Sequence, residues 1–376
     1  MARPSPILAT PPAPALVLRY GGDDGADVAA AWDAVEIEYA WLRKHAVVLD
    51  CPQRGVVEVR GGDRLEFLNR MLTQELAGVS TGDVRRSFWL NKKGRVDADL
   101  RVLVREDRVL LEVDVLAARR VVETLSHYVI AEDVTITDVS DATHRMSVHG
   151  PEAARVLGEA DLLPDRCAEV PIGGVNVLVF REDTTGDPGF EMIAPVAGAP
   201  AAYAALLASS AGRPRAAGWH AWNIARIEGG TPVYNIDFGP ESLPAETGVL
   251  GDRVSFTKGC YLGQEVVARM HARKALKQAL VSIVFERVLA GEDEPPVLAE
   301  SGATLAPEAS PAEVVGAVSS SCLSPMRSAE PIALASVKAA YASPGTVLIA
   351  GGEARPMRGV VQDGLVRWSR GGTSRR

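Results

Sequence analysis

The chain has no apolar run long enough to cross a bilayer, which needs about 20 consecutive apolar residues, so a membrane-spanning helix is not expected. It has only four cysteines, Cys51, Cys167, Cys260 and Cys322, and they lie far apart. Without a CxxC pair or a Cys/His cluster, a structural zinc site is not expected. A disulfide framework does not fit this cysteine density and chain size either. A reducing cytoplasm is therefore the expected compartment. Residues Met1 to Pro14 lack the charged start and apolar block of a secretory signal and read as part of a disordered leader. An excess of positive charge is also missing. The net charge of -8 argues against a generally sticky nucleic-acid surface.

What is present is 376 residues, 47% hydrophobic and 23% charged, enough for two or three globular domains. Gly55 to Arg60 alternates like a strand. Asp63 and Glu66 look like a capping box for a helix carrying Leu65, Leu68, Leu72 and Leu76. Strands at 101–104 and 109–115, a helix near 117–129 and a strand at 134–138 complete the order βαββαβ, a compact α+β module. After Gly150 a looser version follows, with helices at 151–158, 200–209 and 218–228 and a hairpin of 174–181 with 189–193. Beyond Lys274 strands dominate, at 279–288, 314–320, 332–337, 346–349 and 359–368. They read as an all-β barrel or sandwich. The basic tail 369–376 reads as disordered.

The most informative segment is Lys258-Gly259-Cys260-Tyr261-Leu262-Gly263-Gln264-Glu265. Its glycines permit a sharp bend that presents the cysteine to solvent. A short helix is expected from Leu262 to Met270. A cysteine beside a lysine and near a helix N-terminus is expected to have a lowered pKa and more thiolate. The bland alternative is a half-buried cysteine at a turn. His271 lies eleven residues on and invites a Cys/His pair, although a surface histidine is the simpler reading. The basic run from Arg269 to Lys277 is either a solvated face or a site for an anionic tail.

This segment resembles the Lys-Gly-Cys-Tyr-x-Gly-Gln-Glu signature of the YgfZ-type folate-binding proteins, which are similar to the T-protein (aminomethyltransferase) of the glycine cleavage system. Further matches are Asp63 to Asn69 with Leu72-Thr73-Gln74-Glu75, Leu90-Asn91-Lys92-Lys93-Gly94-Arg95, and Ala225 to Pro232. Pro244-Ala245-Glu246, Gly316 to Pro325 and Pro331 to Ala335 extend the resemblance over residues 40 to 350. It implies an α+β fold: a T-protein-like ring of three subdomains, two α/β around a central folate-binding hole, plus a C-terminal β-barrel. The implied division is a leader at 1–20, a folate-binding body at 21–274 with a subdomain of about 55–140 inserted, a barrel at 275–368, and a tail.

The resemblance also implies site residues. Relatives carry an Asp-Asp pair near the folate nitrogens. Here Asp99 matches its second member, Ala98 replaces the first, and Asp97 is out of register by one. Both aspartates could equally be solvent-facing strand residues. Thr185 to Glu191 matches a hairpin whose glutamate reads the pterin edge, which nominates Glu191. Arg226 is the implied partner of the folate glutamate tail, or else a helix salt bridge; Asn223 shares its face. Tyr234 and Trp219 are candidate ring walls, with core packing as the default. Asn91 and Lys93 are further implied folate contacts.

The resemblance favours an accessory protein over a self-contained enzyme. It would bind tetrahydrofolate or a one-carbon derivative, with Cys260 as the functional thiol. It would support iron–sulfur cluster assembly or repair, and the tRNA modification that depends on it. The implied partners are iron–sulfur client or assembly proteins, with no membrane and no direct nucleic acid. The alternative is a folate-dependent aminomethyltransferase or related demethylating enzyme. A tRNA-binding module, resting on Arg85-Arg86, Lys92-Lys93-Arg95 and Arg269 to Lys277, is a third reading.

Overall fold

A computed structural model of the chain describes residues 2–9, 12–158, 162–273, 276–289, 296–351 and 356–370, with the backbone alone for 271–273. These residues form two compact units. The first comprises Met1–Asp183, Asp187–Trp222 and Gly251–Gln264, and the second Thr184–Gly186, Asn223–Leu250 and Glu265–Arg376.

In chain order the elements begin with β1 (Leu16–Tyr20), β2 (Ala26–Ala31), α1 (Val35–Lys44), β3 (Ala46–Asp50), β4 (Arg54–Arg60) and α2 (Arg64–Met71). Next come β5 (Val84–Leu90), β6 (Val96–Val104), β7 (Arg108–Asp114), α3 (Val115–Ser126), β8 (Thr135–Asp138), β9 (Thr143–His149) and α4 (Ala153–Val156). Then follow β10 (Cys167–Ile172), β11 (Val175–Arg181), β12 (Gly189–Pro195), α5 (Ala199–Leu207), β13 (Pro214–Ala216), α6 (Trp219–Glu228), α7 (Leu250–Arg253) and α8 (Gln264–Arg273). The last are β14 (Gln278–Phe285), β15 (Thr304–Pro307), β16 (Gly316–Ser324), β17 (Glu330–Lys338), β18 (Val347–Gly351) and β19 (Met357–Val361).

The first unit is built on two larger sheets. One is five-stranded and antiparallel, in the order β5-β6-β7-β4-β8, and uses only residues 54–138. The other is six-stranded, in the order β10-β11-β12-β9-β3-β13. The chain makes β3, completes the five-stranded sheet, and returns at β9 to pair beside β3. Alternation of side chains gives the six-stranded sheet two different faces. Met146, Val148, Phe190 and Met192 enter an apolar core with Ala199, Ala202 and Leu206 of α5. The opposite face meets the five-stranded sheet. Part of that meeting is apolar, with Val56, Val84, Leu103 and Leu110 against Cys167, Leu178, Phe180 and Ile193. The second unit contains a closed antiparallel barrel, β14-β17-β16-β15-β18-β19, filled by Ile283, Phe285, Leu305, Ala333, Val337 and Leu348 among others. Among the described residues no helix is long and apolar enough to cross a membrane.

Several expectations change. The leader is packed: Ile7 is buried, Ser5 Oγ donates to Asp50, and β1 pairs with β2. Residues 371–376 of the expected tail, Lys274, and most of the turn expected at 291–296 lie outside the described residues. The capping box before α2 is absent. Asp63 instead accepts from the Asp133 backbone N–H, because the loop before β8 reaches back to it. Strands β3, β5, β9, β10, β13 and β15 complete the sheets beyond the segments expected from alternation.

Candidate functional site

The expected aspartates on β6 do not face solvent. All nine residues of β6 are buried, with Ala98, Leu100 and Val102 fully inside. Asp99 places both oxygens on guanidinium groups. Oδ2 lies 2.9 Å from Arg101 Nη1 and Oδ1 lies 3.1 Å from Arg253 Nε. Arg101 also donates to Glu182 at 3.1 Å, and Glu182 pairs with Arg86 at 3.1 Å. Burial pushes the Asp99 carboxyl up, but Arg253, Arg101 and Arg54 together hold it below its ordinary value. Glu182 is likewise held far down by Arg101 and Arg86 against the effect of burial. Asp97 is fixed separately, by Arg120 at 3.0 Å and Asn91 Nδ2 at 3.1 Å. The Asn91 side-chain Oδ1 accepts from the Lys93 and Arg95 backbone N–H groups, so Asn91 organises its own turn. Lys93 is exposed.

A second row of buried charge runs from Arg54 to Glu191. Arg54 donates to Glu112 at 2.5 Å, Arg145 reaches the same carboxylate at 3.2 Å, and Arg145 then meets Glu191 Oε2 at 3.0 Å. Glu112 is held below its ordinary value, burial being outweighed by Arg54 and Arg145. Glu191 sits opposite Ser147 in the β12–β9 register. Arg145, Ser147 and His149 alternate on β9, so they share the face of Glu191. Cys51 adds its Sγ at 3.6 Å from Ser147 Oγ; burial and then Glu191 push its thiol up. Glu191 keeps Oε1 without a hydrogen bond among the described residues. The nearest polar group is His149 Nε2 at 3.5 Å, and both nitrogens of that wholly buried ring lack a partner. A carboxylate oxygen without a hydrogen bond, on a side chain 13% exposed, fits a ligand with N–H donors, and the unsatisfied imidazole lies buried beside it. Glu191 came from the sequence and His149 did not. The alternating polar residues of 145, 147 and 149 were the available signal.

The cysteine segment is stitched onto the chain that follows α2. Lys258 is buried, and its ammonium donates to the carbonyls of Asn69 (2.6 Å), Leu72 (2.7 Å) and Gln74 (2.9 Å). Burial lowers its pKa to about 8, with Glu75 acting the other way. Ser255 N donates to Thr73 O, and Thr73 Oγ1 donates to Arg253 O. The Tyr261 ring lies beneath the Lys258 ammonium, and burial pushes its hydroxyl up to about 12. Gly263 has φ +82, and a Cβ there would lie 3.2 Å from Asn91 O, which explains that glycine. Gly259 has open space around it. Cys260 is exposed, and the other three cysteines are buried. The two features expected to activate it are placed otherwise. Lys258 is committed to carbonyls, and α8 starts only at Gln264. Glu265 is exposed in the first turn of α8, and the His271 side chain lies outside the described residues.

Two nominated residues fall in the second unit and are structural. Arg226 is fully buried and donates to Asp237, Ser320 Oγ, Asn223 (2.9 Å) and the Thr231 carbonyl (3.3 Å). Its guanidinium therefore fastens α6 to barrel strand β16, and its complete burial keeps it from a ligand tail. Tyr234 is buried edge-on against Phe238, with ring centroids 5.7 Å apart. Trp219 is half-buried in the first unit, 6.1 Å from the Tyr20 ring and 5.0 Å from the Trp222 ring. Among the described residues no group of three His, Cys, Asp or Glu side chains could hold a metal ion.

Comparison with known proteins adds the following. Residues 16–258 match the model of the GCVT N-terminal domain. An aminomethyltransferase of Streptomyces avermitilis is 29% identical over 335 residues, 86% of each chain. One of Halalkalibacterium halodurans is 27% identical over 272 residues, 68% of this chain and 73% of that one. The crystal structure of glycine cleavage system aminomethyltransferase T from Bartonella henselae shares the fold. Its TM-score is 0.80 at 22% identity, over 93% of this chain and 95% of that one.

Proposed function

Because the chain belongs to the GCVT family of glycine cleavage T-protein-like proteins, we propose that it binds tetrahydrofolate or a one-carbon derivative and takes part in aminomethyl-type one-carbon transfer. The observation that carries this reading is Glu191, a mostly buried carboxylate with one oxygen held by Arg145 and the other open. A carboxylate so placed accepts hydrogen bonds from the N–H edge of a pterin. Bound tetrahydrofolate would supply the nitrogens that accept the one-carbon unit. Glu191 would hold the ring, Arg145 would keep the carboxylate in place, and the apolar cluster behind it would exclude water.

Calorimetric titration with tetrahydrofolate tests the reading. Binding to the wild type should weaken about 10- to 100-fold in Glu191→Ala, the worth of hydrogen bonds to a charged group. A wild type that binds no tetrahydrofolate would sink it. Methylenetetrahydrofolate formed from an aminomethyl-loaded carrier would establish the transfer itself.

A second reading rests on two other observations. Asp99 has both oxygens on arginines, and Cys260 is exposed on a segment held by Lys258. These favour a folate-binding accessory protein of the YgfZ type. Cys260 would then serve iron–sulfur client or assembly proteins, with an indirect effect on tRNA modification. In cells lacking the protein, Cys260→Ser should fail to restore client iron–sulfur enzyme activity. Full restoration by that variant would remove this reading.

A further inference from the structure

His149 has no role in either reading, yet its position demands one. The ring is completely buried, and both nitrogens lack a hydrogen-bond partner among the described residues. Leaving buried polar atoms unpaired opposes folding, so native structures rarely retain them without a reason. The surroundings make room for this ring. Gly189 stands opposite His149 in the β12–β9 register, and a Cβ on it would lie 2.4 Å from His149 Nδ1. On the other side, Nε2 stands 3.5 Å from Glu191 Oε1. That gap is just beyond a hydrogen bond, and a small side-chain rotation closes it. Other polar groups of this face are already engaged. Arg145 pairs with Glu112 and Glu191 Oε2, and the Cys51 thiol faces Ser147.

We propose that His149 is a positioning residue for Glu191: with its proton on Nε2, it donates to Oε1 and turns the carboxylate so that its remaining acceptor positions face the donor edge of a flat heterocycle. A neutral imidazole carries one N–H and one lone pair, and the carboxylate fixes which nitrogen holds the proton. Arg145 holds Oε2 from one side and His149 holds Oε1 from the other. The ring acts through Glu191, because it is wholly buried while the Glu191 side chain is 13% exposed. This inference rests on the folate reading for the identity of the ligand, but not for the His149–Glu191 contact.

Two experiments test it. The first measures tetrahydrofolate and 6-methyltetrahydropterin binding to wild type, His149→Leu and His149→Gln, each checked for folding by thermal melting. His149→Leu should bind both ligands about tenfold more weakly, and His149→Gln, which keeps an N–H donor, should recover to within about threefold. Equal affinity of His149→Leu and wild type would overturn the proposal. The second is independent of any ligand: the ¹⁵N spectrum of the histidine rings in wild type and Glu191→Ala. His149 should show a protonated Nε2 whose resonance moves when Glu191 is removed. An unprotonated Nε2, or one that does not move, would overturn the proposal. If the wild type binds no folate but the resonance shift appears, the folate reading fails and the positioning contact stands.

Discussion

Asp99 and Glu191 are both acidic residues on inner strands of one unit, and both were nominated as site carboxylates. Their surroundings differ in kind. Asp99 has a guanidinium on each oxygen, and those arginines continue to Glu182 and Asp252. Glu191 has a guanidinium on one oxygen and an unpartnered histidine facing the other. A carboxylate saturated by buried arginines serves mainly to hold its neighbours in register. One left half-satisfied keeps capacity for a ligand. In this family member, therefore, charge balance separates the two aspects more sharply than burial does.

The largest expected effect comes from opening the saturated region. Asp99→Ala removes the shared partner of Arg101 and Arg253 and should cost about 3–5 kcal/mol in urea unfolding, as for a broken buried ion pair. Glu191→Ala should cost clearly less, because Arg145 retains Glu112. Equal losses would dissolve the distinction. Acid titration sharpens it. Asp99, Glu112 and Glu182 all have folded values below their unfolded values near 4. Their stabilisation is present above about pH 4 and is lost as pH falls through the folded values. Circular dichroism should show acid unfolding only well below pH 4, with a higher midpoint in Arg101→Met.

Arg226 belongs with Asp99 on the saturated side. Arg226→Met leaves the buried Asp237 without its guanidinium and should lower stability by about 3 kcal/mol. Folate affinity in the folded fraction should not change. A selective loss of affinity for polyglutamylated folate, with normal stability, would restore Arg226 as a tail-binding residue.

The sequence showed much of the fold because many elements carry one periodicity. The barrel strands other than β15, α6 and the β11–β12 hairpin were legible from alternation or helical spacing. Strand β9 was not, because Arg145, Ser147 and His149 look like a wet face and are in fact buried. Glu191 was legible through resemblance, whereas its partners on β9 were not. Arg226 shows the opposite problem. The resemblance implied a ligand contact and helical spacing a salt bridge, but besides the nearby Asn223 and Thr231 its acceptors are Asp237 and Ser320, which the tertiary fold brings to it. Lys258 was read as a neighbour of Cys260, and its real acceptors are three carbonyls almost 190 residues away in sequence.

On the open side, a smaller effect is expected for Glu191→Gln. The amide keeps the shape but loses the charge and presents a donor where an acceptor is needed. Tetrahydrofolate affinity should fall about tenfold, less than in Glu191→Ala, with stability changed by under about 1 kcal/mol. A Gln variant as weak as Ala would mean that charge alone, without geometry, governs binding.

The smallest expected effect on stability lies at Cys260. Its side chain is exposed and the segment is anchored by Lys258, Ser255 and Thr73, so Cys260→Ser should change unfolding free energy by no more than about 0.5 kcal/mol. The chemical contrast should be large all the same. Cys51, Cys167 and Cys322 are buried, and burial pushes the thiols of Cys51 and Cys167 up. Iodoacetamide on the native protein should therefore add one adduct by intact mass, at Cys260, and none in Cys260→Ser. Lys258→Met should leave the number of adducts at one but change the rate, because the segment loses its three carbonyl contacts. An unchanged rate would mean that the anchoring of this segment has no bearing on how Cys260 is presented.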